Sequence, residues 1–219
     1  MIWLENVSKS YWSRGVQKVV ADRVSFVVPA RGAVALIGRN GTGKSSLLRL
    51  IAGQTQPDAG RIRVTGTVSW PVGFAGSFHG EMTGAQNARF VARIHGIDSD
   101  WFVALVADIA EIGASLYQPF RTYSMGMKAR LAFGVSMAID FDTLLIDEVT
   151  SVGDAAFRAR SEALLMERLE RRAAVVVSHN LPLLERLCQS AVVLENGRAR
   201  LFDDVGAAIA HHRATVVPA

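Results

Sequence analysis

Cysteine is almost missing from this 219-residue chain, where Cys188 stands alone. An internal disulfide is therefore excluded, and so is a metal site built on several thiolates. Among Leu184, Leu187 and Ala191 the residue reads as a small buried hydrophobe. Long apolar runs are missing too. A membrane-crossing helix needs roughly 18 consecutive apolar residues. The richest stretch, Leu131–Ile139, is about half as long and is interrupted by Gly134 and Ser136. The N-terminus, Met1-Ile2-Trp3-Leu4-Glu5-Asn6, lacks the basic-then-apolar order of a secretion signal, so the chain is expected to stay in the cytoplasm. No block of like charge occurs either. The net charge of +4 comes mostly from scattered arginines, with no run longer than Arg171-Arg172. Solvated helix faces are the plainer reading of that charge; nucleic acid or an anionic membrane surface is the alternative.

What is present is globular: hydrophobic residues make up 50% of the chain and charged ones 20%, enough for one α/β core over 1–219 with a small lobe. Ile2/Leu4 and then Val24/Phe26/Val28 alternate as in antiparallel strands joined near Ser13-Arg14-Gly15. Short strands follow at Arg61–Val64 and Thr67–Trp70, around Gly66. Helical spacing runs through 84–112 with a break at His95-Gly96, and again from Gly126 to Ala138. Strand Thr143–Ile146, an amphipathic helix over 155–170 (Phe157, Leu164, Leu165 and Leu169 on one side), strand Ala173–Val177, a helix near 181–188, strand Ala191–Leu194 and a helical tail from Val205 complete the pattern. Alternating strands and helices predict a mostly parallel sheet covered on both faces. Residues 75–130 hold no convincing strand and read as an inserted helical lobe; 200–219 form a short helical tail.

One segment carries the chemistry. Gly38-Arg39-Asn40-Gly41-Thr42-Gly43-Lys44-Ser45 fills every fixed position of G-x-x-x-x-G-K-[ST]. It lies between an apolar strand, Ala33–Ile37, and a helical start, Ser46–Ile51, and this setting separates a phosphate-binding loop from a coincidence. Glycines allow the backbone to wrap a phosphate chain and aim successive N–H groups at it. Lys44 is expected on the β- and γ-phosphates, the Ser45 hydroxyl on Mg²⁺, and the helix dipole adds positive potential at Ser46.

Leu144-Leu145-Ile146-Asp147-Glu148 supplies a second part. An Asp-Glu pair alone is commonest as a cap or exposed turn. At the end of a buried strand beside a phosphate loop, Asp147 is placed to hold Mg²⁺ and Glu148 to take a proton from an attacking water. Ala173-Ala174-Val175-Val176-Val177-Ser178-His179-Asn180 repeats the pattern and delivers His179 to the same sheet edge, within reach of Glu148 and a γ-phosphate.

Taken in order, these segments resemble the ATP-binding-cassette (ABC) ATPases, a P-loop NTPase family whose fold joins a mostly parallel core sheet, an N-terminal antiparallel β region and an inserted helical lobe. The family's Leu-Ser-Gly-Gly-Gln signature is matched in degenerate form by Tyr123-Ser124-Met125-Gly126-Met127: Ser124 and Gly126 agree, Met125 and Met127 depart. The resemblance implies that Ser124 and Gly126 bind the nucleotide of a second copy of the chain, so that two copies sandwich two ATP molecules. It also implies an aromatic stacked on adenine, either Tyr11 or Trp12. Ser151 and Asp154 match the loop that crosses the dimer interface. The glutamine of the family is missing: Phe74 stands in its neighbourhood, and Gln86 lies too far along.

Within the family, Val68–Gly84, Asp147–Phe157 and the ending Phe202-Asp203-Asp204-Val205 are similar to capsular-polysaccharide export ATPases. That similarity implies a peripheral ATPase on the cytoplasmic side of the inner membrane, bound to an integral-membrane permease, with a lipid-linked polysaccharide handled indirectly. Cofactors would be ATP and Mg²⁺, and no nucleic acid is expected. Export of O-antigen or teichoic acid, or a soluble ABC ATPase acting on nucleic acid, are the rival readings. Phe74, Phe78 and Met82 are candidate permease contacts, with buried loop packing as their alternative.

Overall fold

The N-terminal alternation becomes one long hairpin. A computed structural model describes residues 1–13, 15–73, 76, 78–148 and 154–216. In it β1 (Ile2–Ser13) pairs antiparallel with β2 (Val16–Val28), from Ile2 opposite Val28 to Tyr11 opposite Lys18. Asn6 and Arg23 adopt positive φ where the ladder shifts register, which bends the strands. Next come β3 (Gly32–Ile37), α1 (Lys44–Ile51) and β4 (Ala59–Val64), which pairs with the other edge of β1. Ile2, Leu4, Val24, Phe26 and Val28 point inward from this small sheet and share one core with Leu47, Leu48, Leu50 and Ile51 of α1. Full burial contributes about 1.5–3 kcal/mol for each such side chain.

The remaining elements are β5 (Val68–Val72), α2 (Gly84–Ile94), α3 (Ser99–Ala110), α4 (Met125–Ala138), β6 (Thr143–Asp147), α5 (Ala155–Leu169), β7 (Ala173–Val177), α6 (Leu181–Leu187), β8 (Ser190–Glu195), β9 (Arg198–Phe202) and α7 (Val205–Val216). The larger sheet has the order β5-β6-β7-β3-β8-β9. Its central strand, β7, is buried at all five residues and runs parallel to β3 and β6. The pairings Ala35 with Val176 and Asp147 with Val177 bring three strand ends to one edge. At the far side of the sheet Leu145 N–H donates to the buried Ser69 Oγ at 2.9 Å.

Two compact units emerge: Met1–Pro71 with Phe141–Glu148 and Met166–Ala219, and Val72–Asp140 with Val149–Leu165. In the second, Thr83 and Gln86 form a capping box at α2, each side chain accepting the other's backbone N–H. Gln86 thus has a structural task. The buried amide of Asn87 donates to the carbonyls of His79 and Thr83 and accepts from His79 N–H, ordering the preceding loop. Gly134 lets α4 cross α3 closely, since a Cβ there would lie 3.2 Å from Val106 O. Arg160 pairs with Asp108 at 2.9 Å and with Glu111.

Several expectations shift. The sequence pattern does not predict β9, because its residues are exposed or half-buried and form no hydrophobic run. Asn196-Gly197, both at positive φ, is the turn signal that reveals it. The helical tail expected over 200–219 begins at Val205, residues 200–202 closing β9. The lobe expected over 75–130 extends further, because α4 runs unbroken to Ala138. On α5 the buried row is Phe157, Ser161 and Leu165, spaced by four, while Leu164 and Leu169 flank it half-buried. Cys188 is buried as expected, and burial pushes its thiol up to about 12.

Asp142 fastens the start of β6. Its carboxylate accepts from Thr67 N–H at 2.8 Å and from Thr67 Oγ1 at 3.1 Å, with Arg172 at 3.2 Å. The Thr67 hydrogen bonds, aided by Arg172, hold its carboxyl below the usual range. A carboxylate lowered on folding stabilises above its unfolded pKa, near 4, and loses that contribution as pH falls through its lower folded value. Asp142→Asn is therefore expected to melt below wild type at neutral pH, with the gap closing in acid. Thermal denaturation across pH checks this; a gap independent of pH contradicts it.

Candidate functional site

The turn from β3 into α1 is sterically committed to glycine at two places. Gly43 caps α1 at φ 108°, and a Cβ there would run into Val20. A Cβ on Gly38 would lie 2.6 Å from Leu194 O and 2.9 Å from Thr42 Oγ1. The first turn of α1 has no side-chain cap and no acidic residue, so its N–H groups and dipole are open to an anion. Lys44 is buried, and its Nζ donates to Gly38 O at 2.7 Å and to Arg39 O at 3.0 Å. Burial pushes its pKa down; the carboxylates of Glu148 and Asp147 oppose that shift. Thr42 Oγ1 donates to Arg39 O at 2.9 Å and tightens the same loop.

At the neighbouring strand ends, Asp147 closes β6 opposite Val177, and Glu148 N–H donates to Val177 O at 3.0 Å. Glu148 has φ 56°, a left-handed conformation uncommon outside glycine and costing of order 1–3 kcal/mol. Its carboxylate meets His179 at 2.7 Å between Oε1 and Nε2, with both side chains about half exposed. Asn180 follows and caps α6 by accepting from Leu183 N–H, so His179 sits on a short, fixed strand-to-helix turn.

These groups border a cavity of about 530 Å³, a volume typical of small-molecule sites. Tyr11, Asn40, Gly41, Gly43, Lys44, Ser45, Ser46, Glu148 and His179 line it; so do Lys18 and Val20, which sequence reasoning missed. Both missed residues lie on β2, and the Tyr11–Lys18 register of the hairpin is the signal that joins them to the site. Gly38, Arg39, Thr42 and Asp147 stand behind the lining and act through Lys44 and the loop backbone. Tyr11 borders the cavity, whereas Trp12, one residue on and 71% exposed, does not, as strand alternation requires.

In the second unit, Ser124 caps α4 by accepting from Met127 N–H at 3.2 Å, and Gly126 lies in the first turn without crowding. Tyr123 is buried, donates its O–H to Ser115 O at 2.6 Å, and has its pKa raised by that burial. Asp154 caps α5 through Phe157 N–H at 2.9 Å and pairs with Arg130 at 2.6 Å, and these contacts lower its pKa. Ser151 and Phe74 lie outside the described residues. Phe78 packs edge-on against Phe120 at 5.3 Å and is half-buried; Met82, also half-buried, accepts from Phe120 N–H through its backbone O. Among the described residues no three His, Cys, Asp or Glu side chains cluster to hold a metal.

The family model for ABC transporters matches residues 21–151. The chain belongs to the ABC transporter family. Its ATP-binding relatives cover almost its whole length. The capsule polysaccharide export ATP-binding protein CtrD of Neisseria meningitidis is 41% identical over 97% of this chain and 98% of its own. The polysialic acid transport ATP-binding protein KpsT of Escherichia coli is 43% identical over 90% of this chain and 88% of its own. Among solved structures, a dimeric ATP-binding cassette in a post-hydrolysis state, bound to ADP and Pi, superposes with a TM-score of 0.79 at 18% identity, covering 92% of this chain and 97% of that one. That likeness shows the fold.

Stacking of a base on an aromatic ring contributes about 1–3 kcal/mol. With Tyr11 beside the loop, Tyr11→Ala is expected to weaken ATP binding by about tenfold, while Trp12→Ala leaves it near wild type. Calorimetric titration decides, and the reverse ranking would assign the role to Trp12.

Proposed function

We propose that this ABC ATPase powers export of a lipid-linked, capsule-type surface polysaccharide across the inner membrane. Two copies dock on the cytoplasmic side of an integral-membrane permease, which provides the path for the glycan. The observation that carries the ATPase chemistry is the Glu148–His179 pair beside the phosphate loop in one cavity. Similarity to capsule-export ATPases over nearly the full length of both chains supports the cargo class. No described helix is long and apolar enough to cross a membrane, consistent with a separate permease chain.

In this reading Tyr11 stacks on adenine, and the backbone from Gly38 to Ser46 cradles the phosphates at the open N-terminus of α1. Lys44 exchanges loop carbonyls for β- and γ-phosphate oxygens. The hydroxyl of Ser45 and the carboxylate of Asp147 are hard oxygen donors suited to Mg²⁺, which supplies neutralising charge on the phosphates. Glu148 accepts the proton of the attacking water, and His179 holds that carboxylate in place and reaches toward the γ-phosphate. Ser124 and Gly126, at the N-terminus of α4, meet the nucleotide of the second copy. Part of the arginine charge is already engaged in ion pairs: Arg61 and Arg63 pair with Glu5, Arg89 with Asp100, Arg121 with Glu81, and Arg130 with Asp154.

Glu148→Gln is expected to keep ATP affinity and lose about 10²–10⁴-fold in turnover, the usual contribution of a general base. Unchanged phosphate release would remove Glu148 from that role. In a strain lacking the gene, supplying Lys44→Ala should leave surface glycan absent and polymer accumulating in the cytoplasm. Normal surface glycan with that variant contradicts the export reading.

A further inference from the structure

Lys18 lines the loop cavity but belongs to none of the motifs that identify it. The other charged groups there have partners: Lys44 is held by two loop carbonyls, and Glu148 by His179. Among the described residues the Lys18 ammonium has no hydrogen bond, ion pair or ring contact. Its placement follows from register. Lys18 stands directly opposite Tyr11 in the β1–β2 ladder, so the two side chains leave the same face of the hairpin and border the same cavity. Two residues on, Val20 returns to that face and presses on Gly43. A Cβ on Gly41 would lie 3.5 Å from Lys18 Nζ, so the ammonium stands over the loop itself.

We propose that Lys18 is a second phosphate-binding cation of the nucleotide site, its ammonium meeting the phosphate chain between the Tyr11 ring and Gly41. This rests on the ATP reading of the cavity. With adenine on Tyr11 and the terminal phosphates in the loop, the polyanion passes the point where Lys18 Nζ stands. Lys44 approaches from beneath the loop, held by its carbonyls, whereas Lys18 approaches from the hairpin. A compact ammonium on a flexible stem suits this task, because it meets phosphate oxygens as a point charge without a fixed plane. A lysine left to solvent on a strand near its turn would have no effect on nucleotide affinity.

The test is calorimetric titration of the whole protein with ATP, ADP and AMP at low and high salt, using Lys18→Met, Lys18→Arg and Lys44→Ala. Lys18→Met is expected to melt like wild type without nucleotide and to bind ATP about tenfold more weakly. The loss should shrink in high salt and from ATP to AMP, and Lys18→Arg should restore most of the affinity. Lys18→Met binding ATP like wild type, or a loss that Arg fails to restore and salt fails to change, overturns the proposal. If Lys44→Ala also binds ATP normally, the cavity reading itself fails; if Lys44→Ala loses binding and Lys18→Met does not, Lys18 alone is excluded.

Discussion

Parallel register among β3, β7 and β6 is the constraint on which the rest of the molecule depends. With Ala35 level with Val176 and Asp147 level with Val177, the chain leaves all three strands at one edge of the sheet. The phosphate loop, the Asp147-Glu148 pair and the His179 turn are the three exits. A one-residue slip of any of these strands would shift its exit along the edge and turn its side chains to the opposite face of the sheet. The alanines and valines of β7 are buried on both faces of the sheet, as its position between β3 and β6 requires.

Around that edge the protein holds several groups in conformations that are costly in isolation. Lys44 is buried under its own loop, Glu148 sits in a left-handed conformation, and Gly38 and Gly43 are packed so closely that no side chain fits. Each is affordable because a large apolar core lies directly behind: Leu36, Leu47, Leu145, Val175 and Val192 in one cluster with the small antiparallel sheet. The hairpin of that sheet also reaches the site, placing Tyr11, Lys18 and Val20 on its wall. The N-terminal strands therefore do more than cover the core.

The sequence made some of this plain and hid the rest, for physical reasons. The loop, the Asp-Glu strand and the Ser-His strand were legible because each is a continuous apolar run ended by a small set of residues whose chemistry is local. Proximity across strands has no such local mark: Lys18 and Val20 join the site only through the register of the hairpin. β9 escaped because an exposed edge strand need not alternate. The positive φ of Glu148 has no signal at all in residue type, since it is imposed by the turn and by Val177 O. Phe78 packs edge-on against Phe120, a partner far along the chain that no local pattern around residue 78 marks.

The most direct measurement is a crystal structure of the protein with Mg²⁺ and a non-hydrolysable ATP analogue. The account expects the adenine on Tyr11, the triphosphate wrapped by Gly38–Ser46, and Ser124 of a second copy against the γ-phosphate. A nucleotide bound away from the loop, or one whose phosphates meet no second copy, would contradict it.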